Sequence, residues 1–340
     1  MPGEDLLEAA LAALDGREPY APYRIDGLAA VEGYVGDEVP HGAEVVWVLD
    51  RVVQIIGRDG SRIELTHNIA QLLSSEAVAE HGEVELPDDA AILTVRAIKA
   101  DGSVRATERI EGKGSLSLSD LAIGDFVEVE YVRHLPPSPI FPGGFDTGRF
   151  FFGDFEHVFH RTEMVLVAPV EMPLQFDPRG GAPSPSERRL GDLRALTWRV
   201  RETSPRAEEP LEPDASERLP SIRVTSGASR EAICGRVREL LADKDRRSEE
   251  VEALSRELLE EIPVKDTALR LETLYEWVME NIVDDGDLSG QLSHIIARRM
   301  GSRARAFLGL SEAAGLEGRL AFVRPAAADD TPTDIPDPNI

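Results

Sequence analysis

Residues 45–73 read VVWVLDRVVQII GRDGS RIELTHNIAQLL. Two β-branched, largely apolar runs, Val45 to Ile56 and Arg62 to Leu73, flank Arg58-Asp59-Gly60-Ser61. Asp-Gly supplies the positive φ values that a tight hairpin needs, so this stretch predicts two paired strands. The device recurs downstream, where Ile92 to Lys99 turns at Asp101-Gly102 into Val104 to Ile110. Further on, Val127, Val129 and Tyr131 alternate with Glu128 and Glu130, a period of two that predicts a strand with one wet face. Val165 to Val170 and Ala195 to Val200 complete the pattern, Pro169 and Pro173 marking an edge or a strand end. Between them, residues 179–189 are rich in Gly, Pro and Ser and read as a loop. Short strands with regular turn signals from Glu44 to about Arg201 predict an antiparallel β-sandwich or barrel, and the sandwich is the architecture expected here.

Outward from this core the periodicity changes on both sides. Leu6, Leu7, Ala10, Leu11 and Leu14 recur at helical spacing before Gly16, giving an N-terminal helical arm over residues 1–40. The sandwich is assigned to 41–203. Residues 204–220 form a Pro-rich, acidic linker: Arg201 to Pro220 holds four prolines and six acids, unfavourable to helix and ladder alike. From 221 to 340 the period is helical. Ile233, Val237, Leu240 and Leu241 form one stripe, with Ser229 placed to cap it, and Val251, Leu254, Leu258 and Ile262 form a second that ends at Pro263. Leu271, Leu274, Val278 and Ile282 form a third from Asp266-Thr267, and two more helices are expected over 288–299 and 303–314 before a strand at 319–323. The fold class is thus α+β.

Composition restricts the function classes. The chain has 340 residues, 42% hydrophobic and 29% charged, enough to fold as two domains. Its 37 Lys and Arg against 63 Asp and Glu leave a formal charge of −26, which repels phosphate backbones, so nucleic acid is not an expected partner. One cysteine, Cys234, excludes an intrachain disulfide and a multi-cysteine metal centre. No apolar run spans a bilayer and the first residues lack signal-peptide character, which leaves the compartment open. The abrupt end at Asp337-Pro338-Asn339-Ile340 reads as a piece of a longer protein, an envelope or periplasmic one being one reading among those the open compartment allows.

Segment order and three short stretches resemble bacterial transglutaminase-like proteins that carry an N-terminal β-rich domain of unknown function. The stretches are residues 52–56 (VVQII) with Asp59-Gly60, residues 97–103 (AIKADGS) and residues 121–131 (LAIGDFVEVEY), followed by residues 219–226 (LPSIRVTS) and then helices. The resemblance covers roughly Glu44 to Pro325. It implies that the helical part is the first lobe of a papain-like fold, with residues 274–282 (LYEWVMENI) as the helix before the nucleophile. In active members a cysteine stands at the start of the next helix, two residues beyond a glycine, where the helix dipole and a histidine keep it as thiolate. Here that place reads Met300-Gly301-Ser302-Arg303-Ala304. Anchoring on Gly301 puts Arg303 at the nucleophile position, and counting back from Gly315 puts Met300 there. Neither side chain attacks a carbonyl, and no histidine follows His294. The expectation is a degenerate, non-enzymatic relative that binds or scaffolds. The alternatives are an enzyme whose catalytic residues lie outside this chain, or a peptide- or carbohydrate-binding sandwich.

Other candidates for chemistry were weighed on their own residues. Cys234 falls beside an apolar stripe and reads as a buried, inert thiol, and Ser302 reads as a helix cap rather than a nucleophile. His157 and His160 have two acids nearby, but in a strand they point to opposite faces, so no metal is expected. Gly143-Gly144 and Gly180-Gly181 precede no Lys-Ser or Lys-Thr helix start, so no nucleotide and no cofactor is expected. Seven of the eleven phenylalanines lie between Phe141 and Phe159. Phe150, Phe151, Phe152 and Phe155 are therefore the candidate contacts for a protein, peptide or glycan, with packing inside the sandwich as their plainer role.

Overall fold

The computed structural model describes residues 18–34, 42–107, 115–138, 141–206, 215–227, 230–241, 248–285 and 290–321. The arm helix read at residues 6–14 and the Ser229 cap lie outside them. The chain forms two compact units, one up to Ser229 and one from Arg230 to Pro325.

The first unit is built on a sheet of eight strands. In chain order these are β1 (Val45–Ile56), β2 (Arg62–Leu72), β4 (Ala91–Ile98), β5 (Val104–Ala106), β7 (Phe126–Leu135), β9 (Val158–Pro169), β11 (Ser186–Leu190) and β12 (Leu193–Thr203). They lie in the order β11-β12-β9-β1-β2-β7-β4-β5. The first hairpin forms as its turn residues require, Gly60 taking φ +86°. The antiparallel expectation holds at six of the seven pairings and fails at one, because β1 and β9 run parallel in register from Val46↔Val158 to Ile55↔Val167. A parallel neighbour needs a long crossover rather than a hairpin, and the chain between Ile56 and Val158 supplies it. Residues 179–189, read as a loop, hold the edge strand β11, whose exposed charged side chains blunt that edge.

The sandwich is only partial. A three-stranded sheet, β10 (Gln175–Arg179), β13 (Ser221–Thr225) and β8 (Asp146–Phe151), covers one end of one face. There Ile222 and Val224 of β13, with Phe145 and Phe152, pack on Met164, Leu166, Leu196 and Trp198. The far end of that face is covered by a short helix, Ser75–Glu80, and by a small ribbon of β3 (Glu83–Val84) and β6 (Leu116–Ser117). Since β13 pairs with both β8 and β10, residues 221–225 belong to the first unit, and the boundary read at the acidic linker falls one strand too early. Buried Leu219 stands just before β13.

The opposite face of the large sheet is covered by the N-terminal segment. Buried Tyr20, a 3-10 turn at Ala21–Tyr23 and helix α1 (Gly27–Tyr34) lie across it, with Val31 and Tyr34 against Val46, Leu49, Ile69 and Phe126. We refer to residues 18–34 as the strap.

In the second unit, helices Arg230–Leu241, Glu249–Leu258, Thr267–Asn281, Leu292–Arg298 and Arg303–Ala313 are described. Leu274, Val278 and Ile282 recur every fourth residue and are at most 1% exposed, packing with Val251, Leu292, Ala306 and Leu310. Each such side chain contributes roughly 1.5–3 kcal/mol. Asp266 caps the third helix, accepting from Leu269 N at 3.2 Å, and Gly315 turns at φ +76° after the last. Residues 319–321 hold no strand, and the rest of that expected strand lies outside the described residues. No described helix is long and apolar enough to cross a membrane.

Candidate functional site

Under the strap a row of polar side chains crosses the sheet perpendicular to its strands. Register places Arg199 (β12) opposite Glu163 (β9), Glu163 opposite Arg51 (β1), Arg51 opposite His67 (β2), His67 opposite Glu130 (β7), and Glu130 opposite Thr94 (β4). Directly opposed residues share a face, so six neighbouring strands bring one residue each to a single line. Glu128 and Arg96 form a second rung beside it. Glu128 and Glu130 therefore do not line a wet face: they are 2% and 1% exposed, because the strap covers them. Burial of such groups is tolerable only where each finds a charged or hydrogen-bonded partner.

Glu163 is the centre of one half. Its Oε1 accepts from Arg51 Nε at 2.8 Å, and its Oε2 accepts from Arg161 Nη2 at 3.0 Å and Arg199 Nε at 2.5 Å. Burial alone would raise this carboxyl, but the bonds from Arg51 and Arg161 outweigh it and hold its pKa at about 2. Arg51 also donates to the strap at Tyr23 O, 2.6 Å away. In the other half Arg24 of the strap clasps Glu130 with two bonds, 2.9 and 2.5 Å, and Thr94 donates to the same carboxylate at 3.3 Å. Glu128 accepts from Arg96 Nε at 2.6 Å and lies 3.0 Å from His67 Nε2. Desolvation pushes Glu128 up, yet His67 and Arg96 more than offset this and keep it below the usual carboxylate range. With Glu128 ionised, His67 Nε2 is the donor. Its Nδ1 has no hydrogen-bond partner among the described residues and lies 3.9 Å from Glu130.

The strap leaves a cavity on either side. One, of about 410 Å³, is lined by Tyr23, Arg51, Glu163, Arg188, Leu190 and Arg199 among others; the second, of about 370 Å³, is lined by Arg24, Asp26, Gly27, Thr94, Arg96 and Glu128 among others. The first combines guanidinium groups with an aliphatic wall, and the second is almost wholly polar. The guanidinium groups of both cavities are chemically suited to meet an anionic group. On the other face, Asp50 is pushed up to about 7, by burial first and by the charge of Asp154 second. Asp154 is itself bonded to His157 Nδ1 at 2.7 Å.

The residues singled out from sequence do not converge. Phe152 is fully buried and packs edge-on to half-buried Phe150 with centroids 5.2 Å apart, while Phe151 alternates to the other side of β8 and Phe155 lies under Arg218 at 5.6 Å. They form no common aromatic surface. His157 contacts Trp47 and His160 contacts Tyr34, residues of two different core clusters, and no group of three metal-ligating side chains exists among the described residues. Cys234 is exposed, which corrects its reading as buried: Ile233 takes the inward position next to it. Met300 is 51% exposed and bridges Val283. Ser302 caps the helix Arg303–Ala313 by accepting from Arg305 N, and Arg303 donates from Nε to Ile282 O at 2.7 Å and from Nη2 to Met279 O at 3.3 Å, closing the C-terminal end of the helix Thr267–Asn281. No single stretch of sequence announces the row. Its signal is an ionisable residue embedded in each of several strand-forming stretches, LDRVV, LTHNI, VEVEY and HRTEM.

No curated protein matches the chain in sequence. The model of a domain of unknown function with solved structure, DUF3857, matches residues 113–207, which contain β7, β9 and β12 and hence Glu128, Glu130, Glu163 and Arg199. Among solved structures, a "putative protease" from Parabacteroides distasonis matches with a TM-score of 0.61 at 13% identity, over 80% of this chain and 59% of that one. The chain thus spans about three fifths of the length of that protein, and at this identity the likeness concerns the fold alone: a large β-sheet with several helices, shared with a structure of that description.

Proposed function

We propose that this chain is a non-catalytic binding module of transglutaminase-like architecture, in which the β-rich unit recognises a ligand and the helical unit acts as an adaptor. The observation that carries this is Arg303. A cation at the first turn of a helix opposes the macrodipole by roughly 0.3–1 kcal/mol, whereas a charged donor on a carbonyl contributes about 1.5–3 kcal/mol, so capping the end of the helix Thr267–Asn281 dominates. On the reading anchored at Gly301, the helix start that would hold a thiolate carries this guanidinium instead, and on the reading counted back from Gly315 the position is the thioether of Met300. The second unit contains one histidine, His294, and one thiol, Cys234; the thiol sits past the first turn of its own helix, where dipole activation has faded.

The full chain, incubated with a glutamine-donor peptide and a labelled amine, and separately with unfolded casein, is expected to incorporate no label and to cleave nothing. Turnover that disappears in Cys234→Ser would overturn this proposal and favour the enzyme reading.

A further inference from the structure

We propose that the cavity between the strap and strands β9, β12 and β11 binds a ligand through a carboxylate group carried on a small aliphatic body. This deepens the binding-module reading, on which it rests, by naming the ligand class. The charge inventory gives the sign. Arg51, Arg188 and Arg199 line the cavity together with Glu163 and Glu187, and register turns the Glu187 side chain, opposite Leu196, to the other side of β11. Three cations thus face one anion, Glu163, in a protein whose formal charge is −26. The surplus is local. Surface charge elsewhere is screened beyond a Debye length of about 8 Å at physiological salt, whereas a bound group would touch the guanidinium groups directly.

Two of the three are engaged with Glu163 and one is not. Arg51 is buried, holding Glu163 and Tyr23 O. Arg199 bonds the same carboxylate but leaves its side chain 47% exposed. Arg188 forms no ion pair or hydrogen bond among the described residues, and register places it on β11 opposite Ala195, on the cavity side. A guanidinium presents parallel N–H donors that fit a planar carboxylate bidentately. The remaining wall is aliphatic, from Val165, Leu190 and Ala195, with hydroxyls at Ser186 and Thr197. About 410 Å³ accommodates a group the size of an acylated amino acid. A bare inorganic anion would leave the aliphatic wall unused.

The test is a calorimetric or NMR titration of the full chain with N-acetyl-leucine, N-acetyl-leucinamide and inorganic phosphate. The acid is expected to bind saturably, and the amide at least ~10-fold more weakly, since it lacks the charge that strengthens the bonds. Arg188→Glu is expected to abolish binding, while Arg189→Glu, the same change of charge on the opposite side of β11, leaves it intact. Both positions are exposed on an edge strand, so both variants should keep the fold. Absence of saturable binding, equal binding of acid and amide, phosphate binding as tight as the acid, or equal effects of the two variants would each overturn the assignment. A chain that neither binds the acid nor turns over substrate loses only this inference, whereas turnover in the assays above would remove the module reading itself.

Discussion

Glu163 is held well below the ordinary carboxylate range, and the sign of its contribution to stability can be worked out. Its folded pKa of about 2 lies below the ordinary 4.5, so the group stabilises the fold above pH 4.5 and this is lost as pH falls towards 2. The difference corresponds to about 3 kcal/mol. Glu163→Gln should therefore cost at least that much at pH 7, where it also leaves three arginines without their carboxylate, and far less near pH 2. Urea unfolding of both proteins at the two pH values checks this; a cost independent of pH would refute it. Asp50 has the opposite sign. Burial and Asp154 raise it from 3.8 to about 7, so its ionisation opposes folding increasingly as pH rises from about 4 to 7. Asp50→Asn is expected to raise the melting temperature by at least about 2 °C at pH 8 and to leave it nearly unchanged at pH 4. A variant destabilised at pH 8 would show that the carboxylate is needed where it stands.

Among elements, the strap is held in place by polar contacts as well as by its apolar side chains. Arg24 and Tyr23 O tie it to the row, and α1 starts so close to Glu128 that a Cβ on Gly27 would lie 2.0 Å from Oε1. Gly27→Ala must displace either the helix start or the buried carboxylate. Amides of residues 18–34 should then exchange faster with solvent while those of β1 and β2 stay protected, and unchanged exchange in the strap would contradict this role. The strap was also the element least legible in the sequence. Its residues carry no strong period, and without it Glu128 and Glu130 look like the outer face of an ordinary amphipathic strand. The helices, by contrast, were legible to within a few residues because their signals are local: Asp266 and Ser302 cap where they were read to cap. Hairpin β1–β2 was legible for the same reason. The parallel pairing of β1 with β9 was not, because it joins residues more than 100 apart and no turn announces it.

At the scale of the whole molecule, the polar row could not be read from sequence because it exists only across strands. Arg51, His67, Glu130, Glu163 and Arg199 become neighbours through four separate registers, and none is near another in the chain except by folding. The same non-locality makes the two units separable in experiment. The clusters that pack the large sheet draw only on residues before Ser229, and the cluster of Val251, Leu274 and Leu310 draws only on residues after it. Interactions in cores without shared partners add independently, within about 0.5 kcal/mol. Glu163→Gln should thus weaken one unfolding transition of the full chain. Arg303→Ala, which frees the carbonyls of Met279 and Ile282, should weaken the other by about 1–3 kcal/mol. The double variant should show both losses in full, followed by hydrogen exchange at amides of β1 and of the helix Thr267–Asn281. Coupling above about 1 kcal/mol between the two substitutions would mean that the row and the helix cap share a cooperative unit, and the description of two separate cores would have to be given up.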